Sequence, residues 1–149
     1  FQKAQKPSTT GKYLACLKSL FRRRKNKISK MESQKTTMKA IQLEDYMKPM
    51  KVVELPIPKI GPNQVLVRHL YSPINPSDES KIKGNLYKAP TPFIGGTEGS
   101  GEVVEVGKDF EFKFKPKDRV YFTAMMGSWA EYVAVDGASC HVLPKDAPI

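Results

Sequence analysis

Residues 96–107 read GTEGSGEVVEVG, and this stretch decides the fold of the chain. Its alternating valines and glutamates predict a strand over residues 98–107 that glycines interrupt. The glycines do not make the G-x-G-x-x-G pattern of a phosphate-binding turn, and no helical pattern follows them. We therefore expect Gly99 and Gly101 to allow a bulge in a strand of a β-barrel.

Short segments punctuated by glycine and proline extend outward from this stretch in both directions. The predicted strands are residues 38–43, 51–56 and 64–72 before it and residues 119–124, 129–135 and 141–144 after it. Asn75-Pro76-Ser77-Asp78 predicts the start of a short helix over residues 77–83, because proline suits the first turn and an acidic side chain favours the positive end of the helix dipole. These elements indicate a mainly β fold, a partly open β-barrel with short helices.

Length, hydropathy and cysteine content exclude several classes of protein. The 149 residues suit one domain and leave little room for a second. The longest apolar runs, such as Leu14–Leu17 and Val133–Val135, are far too short to span a membrane. Two cysteines, Cys16 and Cys140, cannot build a disulfide framework or a four-cysteine zinc site, so a reducing compartment is expected.

The net charge of +10 belongs to one end of the chain. Residues 1–31 hold seven lysines, three arginines and no acidic residue, whereas residues 32–149 hold fifteen basic and fifteen acidic residues. A nucleic-acid-binding domain would carry a basic stripe within its folded part. Residues 38–149 offer no such stripe, so we expect no nucleic-acid partner.

The basic extension, residues 1–37, has three interpretations from the sequence. Residues 11–25, GKYLACLKSLFRRRK, place apolar and basic residues at helical spacing, as a mitochondrial presequence does. A tail that binds a membrane surface or nucleic acid would have the same composition. Because the chain starts at Phe1, the extension could also be upstream message read in frame, with the true start at Met31 or Met38.

Residues 96–107 resemble the G-H-E-x-x-G-x5-G segment of the medium-chain dehydrogenase/reductase superfamily, with Thr97 in the position of its histidine. Further blocks follow the superfamily's order: residues 38–43, 65–68, 74–78, 118–120, 127–133 and 143–144. The resemblance covers residues 38–149 and implies the GroES-like catalytic domain of that superfamily. The downstream Rossmann domain is absent from this chain, and residues 146–149 read like the start of a helix, so we expect the domain to be truncated at its C-terminus.

The residues in the zinc positions of the superfamily argue against a metal. Its zinc enzymes hold the catalytic ion through a cysteine at the position of Asn75 and a histidine at the position of Thr97. An amide and a hydroxyl cannot replace a thiolate and an imidazole as zinc ligands. The four cysteines of a structural zinc lobe would follow Val120, and Tyr121–Ser128 contains none. We expect no zinc, and the chain resembles the zinc-free quinone oxidoreductases and 2-enoyl thioester reductases.

The resemblance implies a zinc-independent, NADPH-dependent oxidoreductase that passes a hydride to a quinone, an enone or an enoyl thioester. Without a metal, such an enzyme must polarise its substrate by hydrogen bonds and protonate the product from a side chain or water. Tyr87 is the expected catalytic proton donor or carbonyl partner, unless it is only an exposed loop residue. Asn75 is expected to be catalytic and cofactor-binding, near the nicotinamide and the substrate carbonyl, unless it merely caps the helix.

Four further side chains have expected roles. Ser77 and Asp78 are the other candidate cofactor-binding residues, since both could contact the cofactor ribose or simply cap the helix. Glu98 is expected to pair with an arginine or with backbone amides. Trp129 alternates with its neighbours along a predicted strand and is expected in the core.

The remaining expectations concern the whole protein and its place in the cell. Most contacts to NADPH would come from the absent Rossmann domain, so the chain by itself is expected to be inactive. The alternative is a non-enzymatic GroES-like subunit with a binding or structural role and a basic tail. A cytoplasmic location is expected, or a mitochondrial one if residues 1–37 are a presequence. The resemblance also allows a homodimer of the full-length protein.

Overall fold

Eight strands and one short α-helix make up the part of the chain that the structure, a computed structural model, describes: residues 35–86, 88–124, 126–144 and 146–147. The strands are β1 (Thr37–Leu43), β2 (Lys51–Pro56), β3 (Gln64–Tyr71), β4 (Phe93–Ile94), β5 (Glu98–Val106), β6 (Arg119–Thr123), β7 (Tyr132–Asp136) and β8 (Cys140–Val142). The helix α1 is Pro76–Ile82, and two 3-10 turns lie at Lys108–Phe110 and Gly137–Ser139. No helix within these ranges has the length and apolar character needed to cross a bilayer.

The strands form two antiparallel sheets that contact each other. The smaller sheet has the order β2-β1-β4 and the larger one β7-β3-β5-β6-β8. An isolated antiparallel bridge between Ala40 of β1 and Ala130 connects them. The described strands do not close into a complete barrel, so the prediction of a mainly β, partly open architecture is confirmed.

The glycines of β5 are explained by the close approach of β3. A Cβ atom on Gly101 would lie 2.1 Å from the carbonyl oxygen of Arg68, and one on Gly99 would lie 2.0 Å from Nε2 of His69. Real side chains do not tolerate such distances, so both positions require glycine. The register between β3 and β5 also shifts twice. The expected irregularity is present in this strand pair, and the two glycines let the strands lie against each other.

The larger sheet buries the alternate residues of its strands in one core. Its members come from β3, β5, β6, β7 and β8 and from the loop between β5 and β6: Val65, Val67, Val103, Phe114, Val120, Phe122, Val133, Val135 and Cys140. The two-residue spacing within each strand is the period that places side chains on one face of a sheet. Burying each valine or phenylalanine stabilises the fold by about 1.5–3 kcal/mol. This core is therefore the main support for the strands that carry the site.

Two local predictions differ from the observed elements. The strand expected over residues 129–135 begins only at Tyr132, because the chain bends at Trp129 and Glu131, on either side of the bridge that Ala130 makes to β1. Strand β4 was not predicted, since two residues are too few to show a periodicity. It pairs with the end of β1 through Phe93 and Ile94. This pairing brings the segment that precedes β5 next to the first sheet.

Candidate active site

Asn75 is the residue at which the chain turns from β3 into α1. It has an extended backbone (φ −100°, ψ 155°) and stands at the N-cap position, with Pro76 following as the first helical residue. Its N–H donates to Oδ2 of Asp78 at 2.8 Å, and its side chain faces the Asp78 N–H in a capping box. This reciprocal arrangement satisfies backbone donors that a helix start would otherwise leave unpaired.

Asp78 connects the start of α1 to the segment that leads into β5. Its side chain is only 2% exposed. One carboxylate oxygen accepts the Asn75 N–H, and the other accepts the hydroxyl of Thr97 at 3.1 Å. Hydrogen bonds to both oxygens offset the cost of burying this charge, and the first turn of a helix favours it further. Asp78 therefore holds Asn75 and Thr97 on one side of the domain.

Glu98 contacts a partner that the sequence did not indicate. Its Oε1 accepts a hydrogen bond from Nδ2 of Asn75 at 2.5 Å. The sequence predicted an arginine or backbone amides as the partner of Glu98, whereas the observed partner is the Asn75 side chain. Arg68 of the adjacent strand β3 pairs with Glu102 at 2.6 Å. The polar group at this end of the domain thus joins Asn75, Asp78, Thr97 and Glu98 by hydrogen bonds.

A cleft of about 400 Å³ opens beside this polar group. It is lined by Ile74, Asn75, Pro76, Glu79, Ile82 and Trp129. Lys83 lies 2.5 Å from Glu79 and lowers the pKa of that carboxyl by hydrogen bonding and charge. Trp129 was expected in the core, but it is only partly buried, and its indole N–H donates to the Pro73 carbonyl at 3.3 Å. Asn75 is thus a polar group on a mostly apolar wall.

A second cleft, of about 430 Å³, shares the lining residues Ile74 and Trp129 with the first. At its edge the Ser72 hydroxyl donates to the backbone oxygen of Glu98 at 2.8 Å and contacts the hydroxyl of buried Ser128 at 3.1 Å. These contacts hold the backbone of Glu98 in place, so its carboxylate starts from a fixed position beside Asn75.

The structure brings together some of the predicted site residues and not others. Asn75 and Asp78 are in direct contact, and Asn75 lines the smaller cleft. Ser77 is exposed on α1. Tyr87, the predicted proton donor, lies outside the described residues. The contact of Glu98 with Asn75 was not predicted from the sequence. The one indication that Glu98 lies near the site was that it directly follows Thr97.

The positions of the zinc ligands in related enzymes are occupied by hydrogen-bonding side chains. Asn75 and Thr97 each donate to a carboxylate, Glu98 and Asp78 respectively. Among the residues that the structure describes, no three histidine, cysteine, aspartate or glutamate side chains are grouped as metal ligands. The polar group offers amide and hydroxyl donors, which suit a carbonyl or another acceptor.

Comparison with known proteins gives relatives with reductase names. The chain is 37% identical over 124 residues to a mitochondrial enoyl-[acyl-carrier-protein] reductase of Schizosaccharomyces pombe, covering 73% of this chain and 33% of the relative. It is 36% identical over 86 residues to a probable quinone oxidoreductase of the same yeast, covering 58% of this chain and 26% of that protein. The chain thus spans about a third or less of the length of these relatives.

The fold also occurs in solved structures. A mycobacterial protein in complex with NADPH superposes with a TM-score of 0.68 at 25% identity, covering 74% of this chain and 35% of that one. The family model described as the alcohol dehydrogenase GroES-like domain matches residues 61–145. That range includes α1, the polar group around Asn75 and the whole of β5. The chain therefore belongs to the alcohol dehydrogenase GroES-like domain family, within the medium-chain dehydrogenase/reductase superfamily.

Proposed function

We propose that residues 38–149 form the GroES-like catalytic domain of a zinc-independent, NADPH-dependent reductase, with an enoyl thioester as its substrate and quinones or enones as related acceptors. The observation that carries this proposal is Asn75, whose amide is held by Glu98 on the wall of a mostly apolar cleft. The names of the yeast relatives support the substrate class, and the NADPH complex of the mycobacterial structure supports the cofactor.

The residues of this chain fit one side of such a cofactor. The cleft beside Asn75 is large enough for a flat ring, and its lining is mostly apolar, as small-molecule sites usually are. Both oxygens of Asp78 are already used within the chain, so we favour its helix-capping role. Exposed Ser77 is the better candidate for a contact to the cofactor ribose. The phosphates would bind to a dinucleotide-binding domain outside these residues.

The chemistry divides between the cofactor and the side chains. NADPH, when bound, would supply a hydride for the β-carbon of the unsaturated acyl group. The electron pair of the double bond moves toward the carbonyl oxygen, and a proton must then reach the α-carbon. We assign that proton, or the hydrogen bond that supports the enolate, to the Tyr87 hydroxyl. Asn75 orients a carbonyl group by hydrogen bonding at the cleft wall.

A mitochondrial location is the second part of the proposal. The enoyl reductase relatives from fission yeast and from Arabidopsis thaliana carry mitochondrial in their names. The basic, acid-free composition of residues 1–31 is that of a presequence. A fluorescent reporter fused after residue 37 should therefore enter mitochondria. Its even distribution in the cytoplasm would contradict this location.

Steady-state kinetics of the natural full-length protein test the reaction. We expect NADPH oxidation that depends on an enoyl thioester, with slower oxidation by a quinone or a simple enone. Tyr87→Phe should lower kcat by about 100-fold, because it removes the proton donor and keeps the ring.

The matched control for that variant is Tyr121→Phe. Tyr121 is 46% exposed and stacks on His141, so loss of its hydroxyl should leave turnover unchanged. A folded protein that oxidises NADPH with none of the three acceptors would overturn the proposed function and favour a non-enzymatic subunit. Parental turnover in Tyr87→Phe would remove that residue from the mechanism.

A further inference from the structure

We propose that Glu98 is a positioning residue: it fixes the orientation of the Asn75 carboxamide so that Asn75 presents a hydrogen-bond donor to a carbonyl oxygen of the bound ligand. The inference rests on the proposed function for its kinetic consequences. It names the chemistry of the ligand group as a neutral carbonyl, either on the substrate or on the nicotinamide carboxamide.

The first step of the argument concerns which atom of the amide faces Glu98. An ionised carboxylate can only accept hydrogen bonds, whereas a carboxamide has one accepting and one donating end. The 2.5 Å contact between Oε1 of Glu98 and Asn75 therefore requires the amide nitrogen on that side. The usual ambiguity between the oxygen and nitrogen of an asparagine side chain is thereby removed.

The second step concerns what the amide has left to offer. In the capping box the Asn75 side chain faces the N–H of Asp78, but that N–H donates to the backbone oxygen of Asn75 at 2.9 Å and not to its side chain. One amide hydrogen is engaged by Glu98. The remaining polar hydrogen of Nδ2 is then the group that Asn75 can give to a ligand in the cleft it lines. A carbonyl oxygen is the complement of that hydrogen.

The third step is that Glu98 is itself held. It is the first residue of β5, and its backbone oxygen accepts the Ser72 hydroxyl at 2.8 Å. Ser72 in turn contacts buried Ser128 at 3.1 Å. The carboxylate thus projects from a backbone fixed on two sides. The Glu98 carboxylate can therefore fix the orientation of the Asn75 carboxamide, because a charge-assisted hydrogen bond is strong enough to favour one of its two orientations.

The inference is tested in the natural full-length protein by exchanging the amide of Asn75 and the carboxylate of Glu98 between the two positions. Asn75→Asp alone places two carboxylates one hydrogen bond apart, so we expect a lower melting temperature. Adding Glu98→Gln restores a donor and acceptor pair with reversed polarity, and aspartate is as good an N-cap as asparagine. The melting temperature should then recover. Ligand binding should not, because position 75 would present only acceptors.

The kinetic arms identify which carbonyl is bound. Glu98→Gln lets the Asn75 amide rotate into the opposite orientation. It should weaken the binding of one ligand, so that either the KM for the thioester or the Kd for NADPH rises about 10-fold, which corresponds to the loss of one neutral hydrogen bond. A rise in KM for the thioester with an unchanged Kd for NADPH assigns the donor to the substrate carbonyl. A rise in the Kd for NADPH assigns it to the nicotinamide carboxamide. Parental binding constants in Glu98→Gln, or in the swapped double variant, would overturn the inference.

A spectroscopic readout separates this inference from the proposed function. In protein labelled with ¹⁵N at asparagine, the side-chain signals of Asn75 are assigned by their loss in Asn75→Asp. One of the two amide hydrogens should be shifted downfield by the carboxylate contact, and Glu98→Gln should abolish that shift. A protein without turnover would overturn only the proposed function. If both amide hydrogens of Asn75 in the parent have the chemical shifts of a solvent-exposed asparagine, the orientation itself is overturned.

Discussion

Replacing Asp78 by alanine should destabilise the domain far more than replacing Glu79, its exposed neighbour on the same helical turn. Asp78 is 2% exposed and accepts two hydrogen bonds, from the Asn75 N–H at 2.8 Å and from the Thr97 hydroxyl at 3.1 Å. Glu79 is exposed and contacts Lys83. The two substitutions remove a carboxylate from adjacent positions of α1, so their difference isolates the buried contacts.

The size of the loss follows from these contacts. A hydrogen bond to a charged group contributes about 1.5–3 kcal/mol, and two are lost in Asp78→Ala. Relief from burying the charge offsets part of this, so we expect a decrease of about 3 kcal/mol in the free energy of unfolding. Asp78→Asn should lose only about 1 kcal/mol, because its oxygen can accept the Asn75 N–H and its amide can donate to a rotated Thr97 hydroxyl. Glu79→Ala should leave the free energy of unfolding close to that of the parent, because its ion pair with Lys83 is exposed to solvent.

Urea unfolding followed by tryptophan fluorescence provides the measurement. Trp129 is the single tryptophan of the chain and lies on the wall of the same cleft. Thr97→Val, which removes one of the two donors, should lie between the parent and Asp78→Ala. If Asp78→Ala unfolds at the same urea concentration as Glu79→Ala, the buried carboxylate does not hold α1 and the account of the site is refuted.

Three further predictions concern the buried thiol, the extension and the metal. Burial raises the pKa of Cys140 from 9.0 to about 11, so stability should fall as the pH rises from about 9 to 11, by up to roughly 2–3 kcal/mol. Deleting residues 1–34 should change the melting temperature by only a few degrees, because β1 begins at Thr37. The purified protein should contain no stoichiometric zinc, because Asn75 and Thr97 cannot act as the ligands.

Each of these has a direct control. In Cys140→Val the fall in stability between pH 9 and 11 should be smaller than in the parent, since the unfolded state then gains nothing from ionising the thiol. An equal fall in both proteins would assign it to other groups. A collapse in soluble yield on deletion would give the extension a structural role, and about one tightly bound zinc per chain would reject the metal-free site.

The larger sheet could be predicted because its signal is local. Val65 and Val67, or Val133 and Val135, occupy alternate positions of one strand, and the structure buries these four valines in one core. Segment 129–131 shows a similar pattern, but a tertiary bridge to Ala40 determines its conformation. Periodicity specifies a face of a strand, whereas the place where a strand begins depends on the partner it finds.

In the site, too, the contacts between residues close in sequence could be predicted and the contact between distant residues could not. Asn75 and Asp78 are three residues apart, so their mutual capping follows from helix geometry alone. Glu98 is 23 residues from Asn75, and its partner depends on how β5 is aligned with β3. In that alignment Arg68 forms an ion pair with Glu102, and Glu98 accepts a hydrogen bond from the Asn75 amide. No spacing rule within a single strand carries this information.

The negative charge of Glu98 limits what Asn75 can do in a reaction. A ligand oxygen bonded to Nδ2 would lie about 5 Å from the carboxylate that accepts the other amide hydrogen. A full negative charge on that oxygen would be opposed by roughly 3 kcal/mol at an effective dielectric constant of about 20. A neutral carbonyl would not meet this opposition. Asn75 is therefore suited to binding a carbonyl before the hydride is transferred. For this reason we expect Glu98→Gln to change KM or Kd more than kcat. The negative charge that develops on the substrate must then be stabilised by another hydrogen-bond donor, which is the role proposed for Tyr87.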